Sequence, residues 1–247
     1  MTRYDTIGRT YARTRRTDPR VARAIWTAIG DARTVVNVGA GTGSYERGDR
    51  RVVAVEPSRT MIGQRARGAA PAVQAWAEAL PFADGAFDAA LAVLTIHHWM
   101  DVEEGLREMQ RVARRQVVFM FNHVTSNEFW LVAEYFPEVR ALETEKPPAP
   151  AAVAALLGGA RVEPVAVPAD CVDGFGGSFW NRPEQYLDPA GQDGMSSFAQ
   201  LDAEVRVRGT ERLRADLESG AWDARHGELR GLAELDLGYR LVVAGVP

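Results

Sequence analysis

The 247 residues, 46% hydrophobic and 25% charged, fit one soluble α/β domain with room for a small appended subdomain. A formal charge of −4 gives no global basic field for nucleic-acid phosphates, and the single cysteine, Cys171, excludes an internal disulfide and a cysteine-rich zinc site. No apolar run approaches membrane-spanning length, and the basic start MTRYDTIGRTYARTRR lacks the apolar core of a secretory signal. The expectation is a cytoplasmic protein with no membrane or nucleic-acid partner.

Residues 1–33 read as a helical cap. Tyr4, Ile7, Tyr11 and Thr14 recur at helical spacing, as do Val21, Ala24, Ile25, Ala28 and Ile29, and Asp18-Pro19 suits a helix start. Arg13, Arg15 and Arg16 form either a solvated face or a cationic clamp for a carboxylate. The run VVNVGAGTGSY from 35 to 45 then joins a β-branched strand to Gly39, Gly41 and Gly43. Three glycines at alternate positions predict a tight turn that something approaches closely, the usual cradle for a nucleotide-like ligand. Taken alone, a glycine-rich turn between two strands would read the same.

Residues 52–55 form the second strand, ending in Glu56-Pro57-Ser58. Only residues 40–51 join it to the first, so the crossover predicts a helix of one or two turns. A helix over 58–67 follows, capped by Ser58, with Met61, Ile62 and Ala66 inward. A strand over 72–77 ends in Glu78, and Pro81 and Ala83-Asp84-Gly85 break the chain. FDAALAVLTI over 87–96 predicts a central strand ending in His97-His98-Trp99. Asp101 caps a helix with Val102, Leu106, Met109 and Val112 on one stripe, and a strand over 117–121 closes on Asn122-His123.

This alternation predicts a parallel sheet with right-handed crossovers and helices on both faces. Ligands of such sheets sit at the carboxyl ends of the strands, where the glycine loop, Glu56, Glu78, the His97-His98-Trp99 group and Asn122-His123 all fall. The second half reads as a helix over 126–145, a stiff Pro147-Pro148-Ala149-Pro150 link, a small helix over 151–157, and a strand over 162–167. Residues 170–197, rich in Gly, Asp and aromatics, suit a lid or substrate wall, or an excursion packing its own aromatics. A helix over 202–218 and a strand over 235–244 complete a single domain. Residues 34–124 form its cofactor-binding half, and residues 125–247, with an insertion over about 170–218, its substrate-side half.

VVNVGAGTG, VVAVEPS, AEALPFADGAFD and LTIHHW together resemble the motifs of the class I S-adenosylmethionine-dependent methyltransferases, over roughly residues 4–124. The resemblance implies a Rossmann-like, doubly wound seven-stranded sheet, mostly parallel with a reversed last strand. It implies that Gly39, Gly41 and Gly43 approach the methionine part of the cofactor and that Glu56 grips two ribose hydroxyls. Pro57 and Met61 would face the adenine, Ala77 and Glu78 would read its edge, and Leu94 would lie beneath the sulfonium. By analogy Tyr11 and Arg16 would close over the carboxylate. Three positions depart from the family: Asn37 replaces the usual acid, Trp76 replaces a common aspartate, and the crossover after Gly43 is short. The GxGxG pattern and the early acid place S-adenosylmethionine ahead of NAD.

Methyl transfer needs an in-line nucleophile and often a base. His97 and His98 are the catalytic candidates; on a strand they would point to opposite faces, so one would meet substrate and joint metal binding is not expected. A purely structural strand-end role stays open for both. Asn122 and His123 form a second pair, while Trp99, Trp130, Trp180 and Tyr186 would wall an acceptor pocket. The reading is O- or N-methylation of a small organic molecule. The alternatives are a non-methylating cofactor-binding protein, for example one assisting a cyclisation, and a protein or nucleic-acid methyltransferase. The sequence leaves the oligomeric state open.

Overall fold

The computed structural model describes residues 15–142 and 148–245. Tyr11, and most of the helical reading before Asp18, lie outside them. Helix α1 (Pro19–Ile29) starts where Asp18 accepts a hydrogen bond from Arg20 N and Pro19 occupies the first turn, and ends at Gly30 with φ of 69°. It buries Val21, Ile25, Trp26, Ala28 and Ile29, and Arg115 reaches up from the sheet to bond the carbonyls of Ala28 and Ile29.

The main sheet contains β1 (Thr34–Val38), β2 (Arg51–Val55), β3 (Ala72–Val73), β4 (Phe87–Val93), β5 (Ala113–Phe121), β6 (Arg161–Pro164) and β9 (Tyr239–Ala244), while β7 (Val167–Pro168) and β8 (Glu234–Leu235) make a separate two-stranded sheet. The seven strands run in the order β3-β2-β1-β4-β5-β9-β6. The first five are parallel; β9 runs antiparallel to both β5 and β6. The seven-stranded, doubly wound sheet with its reversed last strand is therefore present.

Successive strand residues feed opposite faces. Val35, Leu91, Val117 and Val243 pack toward α1 and the second half of the chain. Val36, Ala90, Val118 and Val242 pack against α3 (Val102–Val112), with its Leu106, Met109 and Val112, and against Val153 and Ala154. Burial on both faces explains why β1 and β4 read as unbroken apolar runs. Strand order reverses between β1 and β4, so the crevice at their carboxyl ends is the position for a ligand.

Several elements are shorter than their sequence patterns. No helix forms over 39–50: Gly39, Gly41 and Gly43 all have positive φ (68°, 53° and 93°), and a right-handed helical turn cannot run through them. Helix α2 (Arg59–Gly63), capped by Ser58 onto Met61 N, stops well before residue 67. The third strand pairs only over Ala72–Val73, so Ala77 and Glu78 lie in a turn. The expected helix over 126–145 is broken into α4 (His123–Glu128), a wide turn at Leu131–Tyr135 and α5 (Val139–Leu142). Phe129 leaves the helix at ψ of 130°, and Pro137 prevents its resumption. The last strand splits at Asp236–Gly238, where Gly238 has φ of 83°.

After α6 (Pro150–Leu156) and β7, the chain makes a loop-rich excursion through α7 (Pro189–Asp193) to α8 (Ala203–Glu218) and α9 (Ala221–His226). Its anchor is Asp173, fully buried and bonded by Arg15 Nε (2.7 Å), Arg16 N (3.1 Å) and Tyr45 Oη (2.7 Å). Burial, then the charge of Asp173, pushes the Tyr45 phenol far above its ordinary titration, so it stays a hydrogen-bond donor.

Burial opposes ionisation of Asp18, but bonds from the Arg20 side chain, Arg20 N and Val172 N outweigh it and hold its carboxyl at about 2, below the ordinary 3.8. A depressed folded-state value means stability that is present above about pH 4 and lost as pH falls through about 2. Asp18→Ala is expected to cost about 1–2 kcal/mol of unfolding free energy at neutral pH. In urea titrations the gap to wild type should close below pH 3; a gap that persists unchanged in acid would contradict the cap.

Candidate functional site

Two cavities open at the carboxyl edge of the sheet. The first, about 80 Å³, lies over the β1 and β2 ends and is walled by Gly39, Gly41, Glu56, Pro57, Met61, Ala77, Glu78, Leu94 and Trp99. The second, about 150 Å³, lies between the β4 end and the second half of the chain. Arg15, Leu94 and His98 belong to both walls, so the cavities meet there.

The glycine loop is shaped by close approach. A Cβ on Gly39 would fall 2.1 Å from Thr95 Oγ1, and one on Gly41 would fall 3.3 Å from the Met61 methyl. Glu56, 5% exposed, accepts from Gly41 N through Oε2 (2.8 Å) and from Ser58 N through Oε1 (2.9 Å). Each carboxylate oxygen can accept more than one hydrogen bond, which leaves capacity for hydroxyl donors in the cavity. Glu78 Oε1 accepts from Met100 N (2.7 Å) and Asp101 N (3.2 Å), steadying the approach to α3.

Two buried acceptors of this cavity, Asn37 Oδ1 and Glu78 Oε2, have no hydrogen-bond partner among the described residues. Buried polar atoms without partners are costly, so they point to a ligand with donors at both places. Asn37 sits on β1 and Glu78 beyond β3, with β2 between them. S-adenosylmethionine carries an ammonium at one end and an adenine amine at the other, and the two acceptors suit those donors. Trp76, 41% exposed, stands at the rim of the same cavity.

The histidines are arranged differently from the strand-end expectation. β4 stops at Val93; Leu94 takes φ of 49°, rare for a residue with a side chain, while its N–H still bonds Phe119 O (2.7 Å). Ile96–His98 is a 3₁₀ turn, not strand, so the two imidazoles do not point to opposite faces. Their rings lie 3.8 Å apart at 50°, and both line the larger cavity. Phe121, Phe129, Phe175, Met195, Phe198 and Leu237 contribute to its apolar wall, with Ser126, Ser196, Ser197 and Gln200 as polar relief. Tyr239 also lines it, but burial pushes its phenol well above the ordinary range, so it is not a base near neutral pH.

Other expected site residues are placed elsewhere. Trp130, Trp180 and Tyr186 are core residues that line neither cavity. Their polar atoms are spent internally: Trp130 Nε1 donates to Trp180 O, Trp180 Nε1 to Val167 O and Tyr186 Oη to Gly176 O. Trp99 lines the smaller cavity and covers Gly105, not the larger one. His123 opens α4 outside both walls, with its Nδ1 buried and unpartnered among the described residues. The Arg16 side chain is exposed, its neighbour Arg15 lies on both cavity walls, and Arg13 is outside the described residues. Phe121 belonged to a readable apolar segment, and Phe175 and Met195 to Ser197 fall inside the 170–197 segment read as a lid or substrate wall or as an excursion packing its own aromatics. Among the described residues no group of three or more His, Cys, Asp or Glu could hold a metal ion, and no helix is long and apolar enough to cross a membrane.

Residues 36–121 match the family profile described as a methyltransferase domain. The crystal structure of an Anabaena variabilis protein, assigned provisionally as a methyltransferase of an antibiotic biosynthesis pathway, is 30% identical; the match covers 96% of this chain and all of that one, with a TM-score of 0.86. This chain belongs to the class I S-adenosylmethionine-dependent methyltransferases. S-adenosylmethionine is accordingly the methyltransferase's cofactor. The YcgJ protein of Bacillus subtilis, 15% identical over 91% of this chain and 95% of its own, shares the fold with a TM-score of 0.52. A 41-residue stretch is 49% identical to YafE of Escherichia coli K12, itself uncharacterised, and spans only 20% of that protein.

Gly39→Ala should abolish S-adenosylhomocysteine binding, because φ of 68° and the contact with Thr95 both oppose a Cβ. Gly48→Ala, where a Cβ meets nothing within 4 Å, should leave it intact. Equal binding by both variants in calorimetric titration would contradict the loop's role.

Proposed function

We propose that this methyltransferase transfers a methyl group to a hydroxyl of a small, largely apolar organic molecule. The observation that carries the reading is the junction of the two cavities at Leu94 and His98. When bound in the smaller cavity, S-adenosylmethionine supplies a methyl group on a positively charged sulfur. Leu94, held out by its left-handed backbone, forms an apolar floor at the junction and keeps water from the reacting centre. The larger cavity holds the acceptor against Phe121, Phe129 and Phe175, which fixes its approach in line with the methyl group.

His98 is the proposed base, since it alone of the two histidines borders both cavities. His97, tilted against it at 3.8 Å and edge-on to Phe121 at 5.1 Å, fixes the ring's orientation. Among the described residues no Asp or Glu lines the larger cavity, whose ionisable neighbours are Arg15, His97, His98 and Tyr239. An amine that arrives protonated finds no counter-charge there, whereas a hydroxyl finds a base and a nearby guanidinium, itself paired with Asp173. This favours O- over N-methylation. Formal charge of −4 supports a small acceptor over nucleic acid, and a cytoplasmic setting accords with the sequence.

Incubation with methyl-labelled S-adenosylmethionine and matched panels of simple phenols and primary arylalkylamines tests this. Label is expected in phenols. His98→Gln should lower kcat by about 10²–10⁴-fold with S-adenosylhomocysteine affinity unchanged, and His97→Gln by less. Label entering only amines, or an undiminished His98→Gln enzyme, would overturn the assignment.

A further inference from the structure

Asn37, 1% exposed on β1, donates from Nδ2 to Glu46 Oε1 at 3.1 Å. A carboxylate only accepts, so the amide nitrogen must face Glu46 and the oxygen must face away from it. That oxygen, Oδ1, is buried with no hydrogen-bond partner among the described residues, and Asn37 lines the smaller cavity. Glu46 is itself gripped by Arg65 Nη2 at 2.6 Å, with both side chains more than nine-tenths buried, and accepts from Ala70 N at 3.3 Å. Arg65 also donates to Gly41 O (3.2 Å) and Ala70 O (2.9 Å), binding the pair to the glycine loop. A Cβ on Gly43 would stand 3.1 Å from Glu46 Oε2 and 3.2 Å from Arg65 Nη1. The third glycine therefore makes room for this ion pair beneath the loop.

We propose that Glu46 is the positioning residue for the cofactor's ammonium group, acting through Asn37. The inference rests on the cofactor reading of the smaller cavity. A buried amide free to rotate would present NH₂ to a cation half the time, and the contact would be repulsive. Glu46 removes that freedom, so the Asn37 oxygen meets the ammonium, and its charge polarises the amide toward the cavity. Arg65 balances Glu46, which lets the carboxylate stay buried without a net charge under the loop. The order Arg65, Glu46, Asn37, ammonium thus replaces a single acid on β1 with an oriented dipole backed by an ion pair.

Calorimetric titration with two probes tests this: S-adenosylhomocysteine, which carries the ammonium, and 5′-methylthioadenosine, which lacks the amino-acid part. Asn37→Ala and Glu46→Gln should each weaken S-adenosylhomocysteine by about 10- to 100-fold, the range for a charge-assisted hydrogen bond, and leave 5′-methylthioadenosine unchanged. The exchange variant Asn37→Asp/Glu46→Gln, which puts the acid on β1 and an amide behind it, should restore the wild-type ratio of the two affinities. Glu46→Gln binding S-adenosylhomocysteine like wild type would overturn the proposal. Should Glu46→Gln alone bind neither probe, the exchange variant decides: a restored ratio supports Glu46, and a ratio like that of Asn37→Ala refutes it. Wild-type protein binding neither probe would instead remove the cofactor reading itself.

Discussion

One buried carboxylate holds the carboxyl edge of the sheet together. Glu56 accepts hydrogen bonds from Gly41 N and Ser58 N, the loops leaving β1 and β2, and so fixes the distance between them. The β1 loop borders the reversal of strand order between β1 and β4, where an open parallel sheet leaves a crevice. Without this tie, a loop with four residues at positive φ and no following helix would have little to order it. The Glu46–Arg65 pair adds a second tie from below, through Gly41 O. The crossover over 39–50 thus replaces a helix with buried charge.

The second half of the chain depends on a different device. Asp173 gathers Arg15, Arg16 N and Tyr45 Oη, so the excursion after β7 is bound to the segment before α1 and to the glycine loop. Through that contact Arg15 reaches the junction of the cavities. Behind it Tyr186 and Trp222 pack edge to face on Trp130, with Trp130–Trp222 centroids 5.3 Å apart, and Trp180 is buried in the same core. This aromatic core lies behind the wall of the larger cavity without lining it.

The sheet and the candidate site at its carboxyl edge were legible because they rest on local, periodic signals. β-branched runs, the Asp18, Ser58 and Asp101 caps, and polar residues at strand ends each act within a few residues of themselves. What stayed hidden depends on tertiary contact. The run over 87–96 looks continuous, yet β4 stops at Val93 because Leu94 adopts a backbone state that no residue type there announces. Trp130, Trp180 and Tyr186 have the composition of a binding pocket and of a core alike; only their carbonyl partners and burial separate the two. Arg15 and Arg16 are equivalent in sequence, and the distinction lies in Asp173, more than 150 residues away.

The account stands on the two cavities being one reaction site joined at Leu94 and His98. A crystal structure with S-adenosylhomocysteine tests this most directly. The sulfur is expected against Leu94 at the junction, with the ammonium on Asn37 Oδ1 and the larger cavity open beside it. A sulfur lying away from Leu94, or a cofactor product filling the larger cavity, would contradict the account.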